Sequence, residues 1–333
     1  MSTLTISPSP HVHSGDSVKK NMYGVVIAMI PVLISSVYNF GIGALSVVAT
    51  SVLACVFFEY IIQKYILKGE STIGDGSAII TGLLLAFNLP AVIPVWIIVI
   101  GALVAIGMGK MSFGGLGNNP FNPALLGRVF LLISFPVQMT SWSEPGKFPM
   151  KFTDINSGAT PLGVMKEALG NGQTPDQILP DLPSYTDMLW GFTSGSAGEM
   201  AGAAILLGLV FMLVRKTITW HIPIAVIASV YVFAGILHWA DAAAYAPPTF
   251  HILSGGLLLG AVFMATDYSS SPMSKKGGII FGIGIGVITI AIRVFGAYPE
   301  GISFAILIMN AFVPLIDKYI KPKRFGEKPA TAK

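Results

Sequence analysis

The sequence predicts an all-α polytopic membrane protein with about ten transmembrane helices. Hydrophobic residues make up 53% of the 333-residue chain and charged residues only 11%, against about 25% charged residues in ordinary soluble domains. The apolar residues are gathered in long runs, and a membrane-spanning helix needs about 20 mostly apolar residues. The basic residues fall in alternate connections between these runs, as in proteins that cross the bilayer repeatedly.

Ten runs are apolar enough to be spans. They are residues 22–38, 42–63, 77–90, 91–109, 123–139, 197–214, 220–239, 250–266, 278–297 and 299–317. The third run is short and ends in FNLP, so we expect a broken or re-entrant helix there. Proline and glycine interrupt several other runs, which membrane helices tolerate where neighbouring groups satisfy the freed backbone.

The charge pattern predicts which side of the membrane each connection faces. Fifteen of the 20 Lys and Arg residues lie at the N-terminus, in the 2–3, 4–5, 6–7 and 8–9 connections, or in the C-terminal tail. The short connections between them contain none. Because basic residues favour the cytoplasmic side, both termini are predicted to be cytoplasmic, in a bacterial or archaeal cytoplasmic membrane.

The spans divide the chain into five parts. We expect a cytoplasmic N-terminal segment (1–21), a first five-helix repeat (22–139), an extracytoplasmic loop between spans 5 and 6 (140–196), a second five-helix repeat (197–317) and a basic cytoplasmic tail (318–333). No cleavable signal peptide is visible before the first apolar run. That run is therefore expected to act as its own insertion signal.

The two five-helix parts echo each other in sequence. TGLLLAFNLP at 81–90 matches GGLLLGAVFMATD at 255–267, and GNNPFNPALLGRVFLLISFP at 117–136 matches GAYPEGISFAILIMNAFVP at 296–314. Each match falls in corresponding spans, and units of five spans have opposite orientations in the bilayer. An inverted repeat is therefore predicted, with binding sites between the halves and on broken helices. The alternative is chance similarity between apolar runs.

Cysteine content limits the chemistry. The single cysteine, Cys55, lies in an apolar run and is expected to be a small buried hydrophobe. It supplies neither a disulfide nor a zinc or iron–sulfur site from this chain alone. No metal site is predicted, and no Gly-x-Gly-x-x-Gly dinucleotide loop is present in the sequence.

The polar segment KFTDINSGATPLG, residues 151–163, is unusual in so apolar a chain. Gly158 and Ala159 leave the Thr160 hydroxyl sterically open, and Asp154 and Ser157 lie just upstream. Spacing alone favours a helix start, since Thr before Pro commonly caps a helix. A threonine oxygen is a poor nucleophile without a base, so the segment predicts no self-catalysed reaction.

DINSGATPLG resembles the flavinylation site of the NqrB/RnfD family, membrane subunits of the Na⁺-translocating NADH:quinone reductase and of the Rnf ferredoxin:NAD oxidoreductase. The family pattern is Asp, two residues, Ser or Thr, a small residue, Ala and Thr, and the segment fits it at every position. SPSPHVHSGDSVKKNM and GLGNNPFNPALLGRVF also resemble the RnfD type. The longer N-terminal extension expected of NqrB is lacking. The resemblance implies that a dedicated flavin transferase joins FMN through its phosphate to Thr160.

A second cofactor is expected nearer the cytoplasm. The hydrocarbon core is about 30 Å thick, so a flavin held outside cannot readily exchange electrons with a carrier on the other face. Asn119 and Asn122 precede span 5 and Asp267 closes span 8; such side chains can hydrogen-bond the edge of a flavin ring. The resemblance suggests a non-covalent riboflavin there. The alternatives are that Asn122 caps span 5 and that Asp267 is a solvated loop acid.

Three of the charged residues inside predicted spans are Glu59, Arg128 and Arg293. Arg128 and Arg293 are expected to snorkel to the nearest interface, and a sharper hypothesis gives Arg293 a phosphate of the outer FMN. Glu59 is expected to be an interfacial acid and is a candidate for an ion path.

The sequence therefore predicts an electron-transfer subunit of an ion-translocating membrane redox complex, not active alone and coupled to Na⁺ or H⁺ transport. By the resemblance, its partners are the RnfG and RnfC-type flavoproteins, RnfA and RnfE, the ferredoxin-type RnfB, a flavin transferase and membrane lipid, with no nucleic acid. Two alternatives stay open. One is an NqrB-like subunit of a quinone reductase, and the other is a small-solute channel or transporter, since fold does not settle function.

Overall fold

The computed structural model of the protein describes residues 16–69, 72–146 and 158–321. Over these ranges the chain is all-helical, apart from one isolated antiparallel bridge between Ser143 and Gly195. Five helices in the described ranges are long and apolar enough to cross a membrane, and three shorter apolar helices accompany them. The predicted all-α class is confirmed at this level.

The described residues form fourteen α-helices. In chain order they are α1 (Val18–Ile61), α2 (Ser77–Phe87), α3 (Val95–Leu103), α4 (Pro123–Ser134), α5 (Pro136–Met139), α6 (Pro161–Gly170), α7 (Pro175–Ile178), α8 (Tyr185–Trp190), α9 (Gly202–Val214), α10 (His221–Ala240), α11 (Pro248–Leu253), α12 (Leu257–Leu259), α13 (Lys275–Phe295) and α14 (Ile302–Tyr319). π-Helical turns extend α1 (Ile62–Ile66), α3 (Val104–Met108) and α12 (Gly260–Met264).

Helix α1 covers the first two predicted spans. Its backbone leaves the helical region at Gly41, with φ 60° and ψ −139°, a conformation that residues with a Cβ rarely adopt. The long helix is therefore two helices that meet at this glycine, close to the predicted boundary between residues 38 and 42.

Two further predicted spans are broken by their own residues. The fifth stops at Phe135, because Pro136 lacks an N–H and begins α5. The eighth consists of α11 and α12, separated by a turn in which Gly255 has φ +67°. Such breaks free backbone carbonyls inside the bundle, and these need partners from neighbouring segments.

The end of α2 obtains its partners from the segment before α9. Gly198 N donates to Phe87 O and Ala197 N to Leu89 O, both at 3.0 Å. A Cβ at Gly198 would lie 2.5 Å from Phe87, so only glycine lets the chain run this close. These residues are not helical, and the predicted start of the sixth span at 197 is wrong by five residues, since α9 begins at Gly202.

One hydrophobic core joins helices from α1 to α14, with Phe87, Ile97, Leu125 and Phe281 fully buried within it. Cys55 is also fully buried there, as predicted. A second, smaller core holds α6 against neighbouring segments through Leu162, Met165, Ile178, Met188 and Phe250. This smaller core positions the helix that begins next to Thr160.

Candidate functional site

Thr160 is the N-cap of α6. Its backbone is extended (φ −73°, ψ 150°), and Oγ1 accepts a hydrogen bond from Gly163 N at 3.1 Å. Pro161 occupies the first helical position, so the predicted helix start is confirmed. Thr160 is half-buried and Ala159 is exposed. The oxygen therefore sits at a fixed, reachable point beside a small side chain.

Gly158 fixes how the segment enters this cap. Its N–H donates to Trp142 O at 3.0 Å. A Cβ at this position would lie 2.6 Å from Glu144 Cγ and 2.7 Å from Ser194 Oγ, so a larger residue would displace the segment. Asp154 and Ser157, the other two residues of the motif, lie outside the described residues.

Lys166 ties α6 to the end of α13. Its Nζ donates to Tyr298 O at 2.9 Å, to Arg293 O at 3.2 Å and also to Gly296 O. A cation at the C-terminal end of a helix interacts favourably with the unpaired carbonyls. Burial lowers the pKa of the Lys166 ammonium group. The helix that follows Thr160 is thus anchored on a charged contact as well as on its apolar face.

Arg293 does not snorkel, contrary to the expectation. The residue is 5% exposed, and its guanidinium donates to His251 O (2.5 Å), to Ser254 O (3.1 Å) and to Glu300 Oε1 (3.1 Å). The two carbonyls are those freed where α11 breaks. Arg293 therefore caps a broken helix from within the protein, which an isolated span could not reveal. Its contact with an FMN phosphate stays a prediction.

Arg128 is likewise buried, and its predicted snorkelling is wrong. Its Nη2 lies 2.9 Å from Glu199 Oε1, with both side chains nearly inaccessible, and Nη1 donates to Ser303 Oγ. The pair joins α4 to the segment before α9 and to α14. An ion pair removes much of the electrostatic cost that would otherwise drive the arginine to the interface.

The three residues predicted to converge at the start of span 5 do so. Asn119 Nδ2 donates to Asp267 Oδ2 at 3.3 Å, and Asn119 Oδ1 accepts from Ser269 Oγ at 2.8 Å. Ser270 Oγ also donates to Asp267 Oδ2, at 2.9 Å. Desolvation by burial raises the pKa of the Asp267 carboxyl, and these hydrogen bonds act in the opposite direction. Asp267 is therefore held in a polar cluster and is not a freely solvated loop acid.

Asn122 caps α4, as the alternative reading predicted, and also reaches across to the eighth span. Its Oδ1 accepts from Leu125 N at 3.2 Å, and its Nδ2 donates to Met264 O at 3.2 Å. All three residues line one cavity of about 80 Å³, which we call the α4 cavity. Its polar lining includes Asn21, Lys110, Asn119, Asn122, Asp267 and Tyr268.

Glu59 is not an interfacial acid. It is 0% exposed, and its Oε2 accepts from Lys110 Nζ at 2.6 Å. Lys110 Nζ also donates to Ser77 Oγ at 2.5 Å, and Thr72 Oγ1 donates to Glu59 Oε1 at 3.1 Å. Lys110, assigned from sequence to a cytoplasmic connection, is 3% exposed and forms part of the wall of the α4 cavity.

Sequence reasoning missed Glu199, His251 and Glu300. Glu199 and Glu300 are isolated acids in glycine-containing stretches at the starts of predicted spans 6 and 10, and each pairs with an arginine inside another span. A usable signal was the count of arginines within spans, since each buried arginine needs an acidic partner. His251 carried no such signal, because its position depends on the break after α11.

Comparisons with known proteins identify the family of the chain. Residues 5–326 match the profile of the NQR2, RnfD, RnfE family. The D-type subunit of the proton-translocating ferredoxin:NAD(+) oxidoreductase complex of Clostridium ljungdahlii is 43% identical, over 98% of this chain and 97% of that protein. Its counterpart in the Na(+)-translocating complex of Acetobacterium woodii is 42% identical over 97% and 95%. The counterpart in the ion-translocating oxidoreductase complex of Pectobacterium carotovorum is 38% identical over 97% and 99%. With the match spanning nearly its whole length, the chain belongs to the NQR2, RnfD, RnfE family.

Proposed function

We propose that this chain is the electron-transfer subunit of an ion-translocating ferredoxin:NAD oxidoreductase of the Rnf type, with FMN esterified to Thr160. The names of the relatives support the complex, and the fit of residues 154–160 to the family's flavinylation pattern carries the assignment of the flavin. The first two relatives quoted above translocate different ions, so the proposal names the coupling ion as Na⁺ or H⁺. The subunit acts within a complex and is not active alone.

The Thr160 oxygen suits an ester to phosphate. Its hydrogen bond to Gly163 N uses it as an acceptor, and among the described residues its hydroxyl hydrogen has no acceptor. Esterification replaces that hydrogen and so removes no donor from the fold. The small, exposed Ala159 keeps the approach open for a flavin transferase. Bound FMN supplies the capacity to take up and release electrons, while the chain's residues hold it and set its surroundings.

The membrane topology is part of the proposal. Ten spans in two inverted five-helix repeats place 140–196 outside and both termini in the cytoplasm. The kink at Gly41, which divides α1 between two predicted spans, supports this count, as do the breaks after α4 and α11. Under this topology, Thr160 and the α4 cavity belong to opposite faces of the membrane.

A non-covalent riboflavin at Asn119, Asn122 and Asp267 is the second element of the proposal. Amide and carboxyl groups suit the donors and acceptors along the edge of a flavin ring. The α4 cavity of about 80 Å³ is below the roughly 300–1,000 Å³ of ligand pockets. Binding therefore requires side chains at its polar lining, such as Asn21 and Tyr268, to move apart. Electrons would pass between this site and the outer flavin.

The partners proposed are the other complex subunits: RnfG and RnfC-type flavoproteins, the membrane subunits RnfA and RnfE, and the ferredoxin-type RnfB. Two observations on the purified protein distinguish this proposal from the NqrB-like and channel alternatives. Co-purification with ferredoxin- and NAD-reactive subunits favours the Rnf type. A chain without covalent flavin favours a channel.

In-gel fluorescence of the denatured chain tests the covalent flavin. Expressed in a host that supplies the flavin transferase, the parent chain should fluoresce under ultraviolet light and Thr160→Ala should be dark. Thr174→Ala is the matched control, because Thr174 also precedes a proline at a helix start in the same loop; it should fluoresce like the parent. A dark parent, or a fluorescent Thr160→Ala, contradicts the proposal.

Cysteine labelling tests the topology. Cys55 is the single cysteine of the sequence, so Cys55→Ser gives a background without thiols. Gln173→Cys and Lys276→Cys then place single thiols at exposed positions in the 140–196 loop and in the 8–9 connection. A membrane-impermeant maleimide should label Gln173→Cys in intact cells and Lys276→Cys only after permeabilisation. The reverse pattern contradicts the proposed sidedness.

A further inference from the structure

A second cavity lies beside α6, and its volume is about 390 Å³. We call it the α6 cavity. Its walls include Leu162, Met165 and Leu169, which lie on one face of α6, and Phe250 from α11. Leu162 is only two residues from Thr160. The volume falls within the roughly 300–1,000 Å³ typical of small-molecule and cofactor sites.

The polar groups of the α6 cavity are all basic side chains, apart from backbone atoms and the Tyr245 hydroxyl. Lys166, His251 and Arg293 line it. Lys166 Nζ already donates to three carbonyls, so it contributes positive charge to the cavity and no free hydrogen-bond donor. Glu300, which pairs with Arg293 at 3.1 Å, is the acid that offsets part of this charge.

Two buried nitrogens at the α6 cavity have no hydrogen-bond partner. They are His251 Nδ1 and Arg293 Nε, on residues that are 6% and 5% exposed. A buried polar group left unpaired costs about 1–3 kcal/mol, and such groups in folded proteins usually find a partner. The cavity thus combines apolar walls, unused hydrogen-bonding capacity and positive charge.

We propose that the α6 cavity receives the isoalloxazine ring of the flavin carried by Thr160, with Lys166, His251 and Arg293 as positioning groups for its polar edge. This rests on the proposed function. The ring has an apolar benzenoid end, which suits Leu162, Met165 and Phe250, and a polar end with carbonyl and ring-nitrogen acceptors. That polar end becomes more negative on reduction, so the positive charges of Lys166 and Arg293, together with a hydrogen bond from the imidazole of His251, favour the reduced form.

Other occupants fit these features less well. A small inorganic anion would make no favourable contact with the apolar side chains that line a whole face of α6. The acyl chain of a lipid has no group that could hydrogen-bond the unpaired buried nitrogens. A ring tethered at Thr160 meets both kinds of wall and, being covalently attached two residues from Leu162, has a high effective concentration at the cavity.

The test uses flavinylated full-length chain within its complex and the variant His251→Leu. We expect covalent flavin content equal to the parent by in-gel fluorescence, a more negative midpoint potential of the Thr160 flavin, and stronger quenching of its fluorescence by iodide. His221→Leu is the matched control, since His221 Nδ1 is also buried without a partner but lies at the start of α10, outside the α6 cavity lining. It should leave both properties unchanged.

Leu169→Trp serves as a second variant if His251→Leu lowers the amount of folded protein. It fills the α6 cavity while Lys166, His251 and Arg293 are all retained, and it should also increase iodide quenching. The proposal is overturned if both variants retain covalent flavin with parental potential and parental quenching. It is also overturned if an acidic phospholipid co-purifies with the parent and is lost from His251→Leu while the flavin is unaffected. A parent chain with no covalent flavin overturns the proposed function itself, which the gel reveals before any potential is measured.

Discussion

The α4 cavity and the α6 cavity lie at opposite ends of the eighth predicted span. His251 belongs to the first part of that span, in α11, and Asp267 follows its last turn. Each cavity adjoins a buried ion pair, Lys110–Glu59 in one case and Arg293–Glu300 in the other. At the α4 cavity Lys110, Asn119, Asn122 and Asp267 all have hydrogen-bond partners within the protein, whereas the α6 cavity keeps two unpaired nitrogens.

This difference indicates how each cavity would take a ligand. In the α4 cavity, a ligand must replace hydrogen bonds that already exist between Asn119, Asp267 and the neighbouring serines, and it must widen a space of about 80 Å³. The α6 cavity offers about 390 Å³ and gains hydrogen bonds on occupation. We therefore expect the α4 cavity to be stable when empty and the α6 cavity to be stabilised by its occupant.

The largest expected effect of a single substitution is at the ion pair of the α4 cavity. Lys110→Met leaves the Glu59 carboxylate buried without its cation, which should cost about 3–5 kcal/mol of unfolding free energy. Unfolding in mixed micelles measures it. The double variant Lys110→Met/Glu59→Leu removes both charges and should recover most of the loss. If the single and double variants lose the same amount of unfolding free energy, the loss in Lys110→Met does not come from breaking the Lys110–Glu59 ion pair.

The corresponding change at the α6 cavity sharpens the comparison. Arg293→Met should cost less than Lys110→Met, because the side chain of Glu300 is 17% exposed whereas that of Glu59 is 0% exposed. Water can then replace part of the lost pairing. A larger loss at Arg293 would show that capping the carbonyls of His251 and Ser254 outweighs the ion pair.

The second effect concerns the turn that shapes the α6 cavity. Gly255→Ala puts a Cβ at φ +67°, and that atom would lie 1.9 Å from Glu300 Oε2 and 2.6 Å from Leu162 Cδ1. The backbone strain alone is about 1–3 kcal/mol, and the clash moves Leu162 as well. Thermal unfolding should show a clear loss, with increased iodide quenching of the Thr160 flavin.

Gly235→Ala is the control for that variant. Gly235 lies within α10, and a Cβ there meets nothing within 4 Å. Alanine in a helix interior is favoured over glycine by about 1 kcal/mol, so the control should be neutral or slightly stabilising. Equal losses in the two variants would mean that the turn at Gly255 has no special role.

The third effect is on the polar cluster of the α4 cavity. Asn119→Leu removes the amide that bonds Asp267 and Ser269, with an expected loss of about 1–3 kcal/mol. Non-covalent flavin extracted from the folded protein should fall while the covalent flavin stays constant. Asn118→Leu alters the exposed neighbour and should keep both flavins. Parental riboflavin content in Asn119→Leu would place that cofactor elsewhere.

Helix starts and caps could be predicted from the sequence better than contacts between residues distant along the chain. The helix start at Thr160 and the cap at Asn122 followed from one or two neighbouring residues, and both are confirmed. The convergence of Asn119 with Asp267 was also predicted, from the positions of the two span ends. The burial of Arg128, Arg293 and Glu59 was not predicted, because each depends on a polar partner distant in sequence.

Breaks within predicted spans explain why the burial of Arg293 and the α6 cavity could not be predicted from the sequence. Hydropathy marks the eighth span as one run, yet its break frees the carbonyls of His251 and Ser254 and so creates a place for Arg293. A charged residue that looks unfavourable in a single span becomes favourable where a neighbouring helix is interrupted. The α6 cavity depends on this arrangement, and the flavin motif gave no indication of it.

The smallest expected effect concerns the charge of Lys166 at the α6 cavity. Burial lowers the pKa of this ammonium from its ordinary value of 10.5. The unfolded chain then binds more protons in the window below pH 10.5, so this group makes stability rise with pH there. Relative to Lys166→Met, the parent chain should therefore gain stability as the pH approaches that value, whereas the exposed Lys276→Met should stay parallel to the parent. Thermal unfolding across this range measures the difference. A parent that instead loses stability against Lys166→Met would mean that the three carbonyl contacts of the charged amine outweigh its desolvation, and α6 would then be held chiefly by its charge.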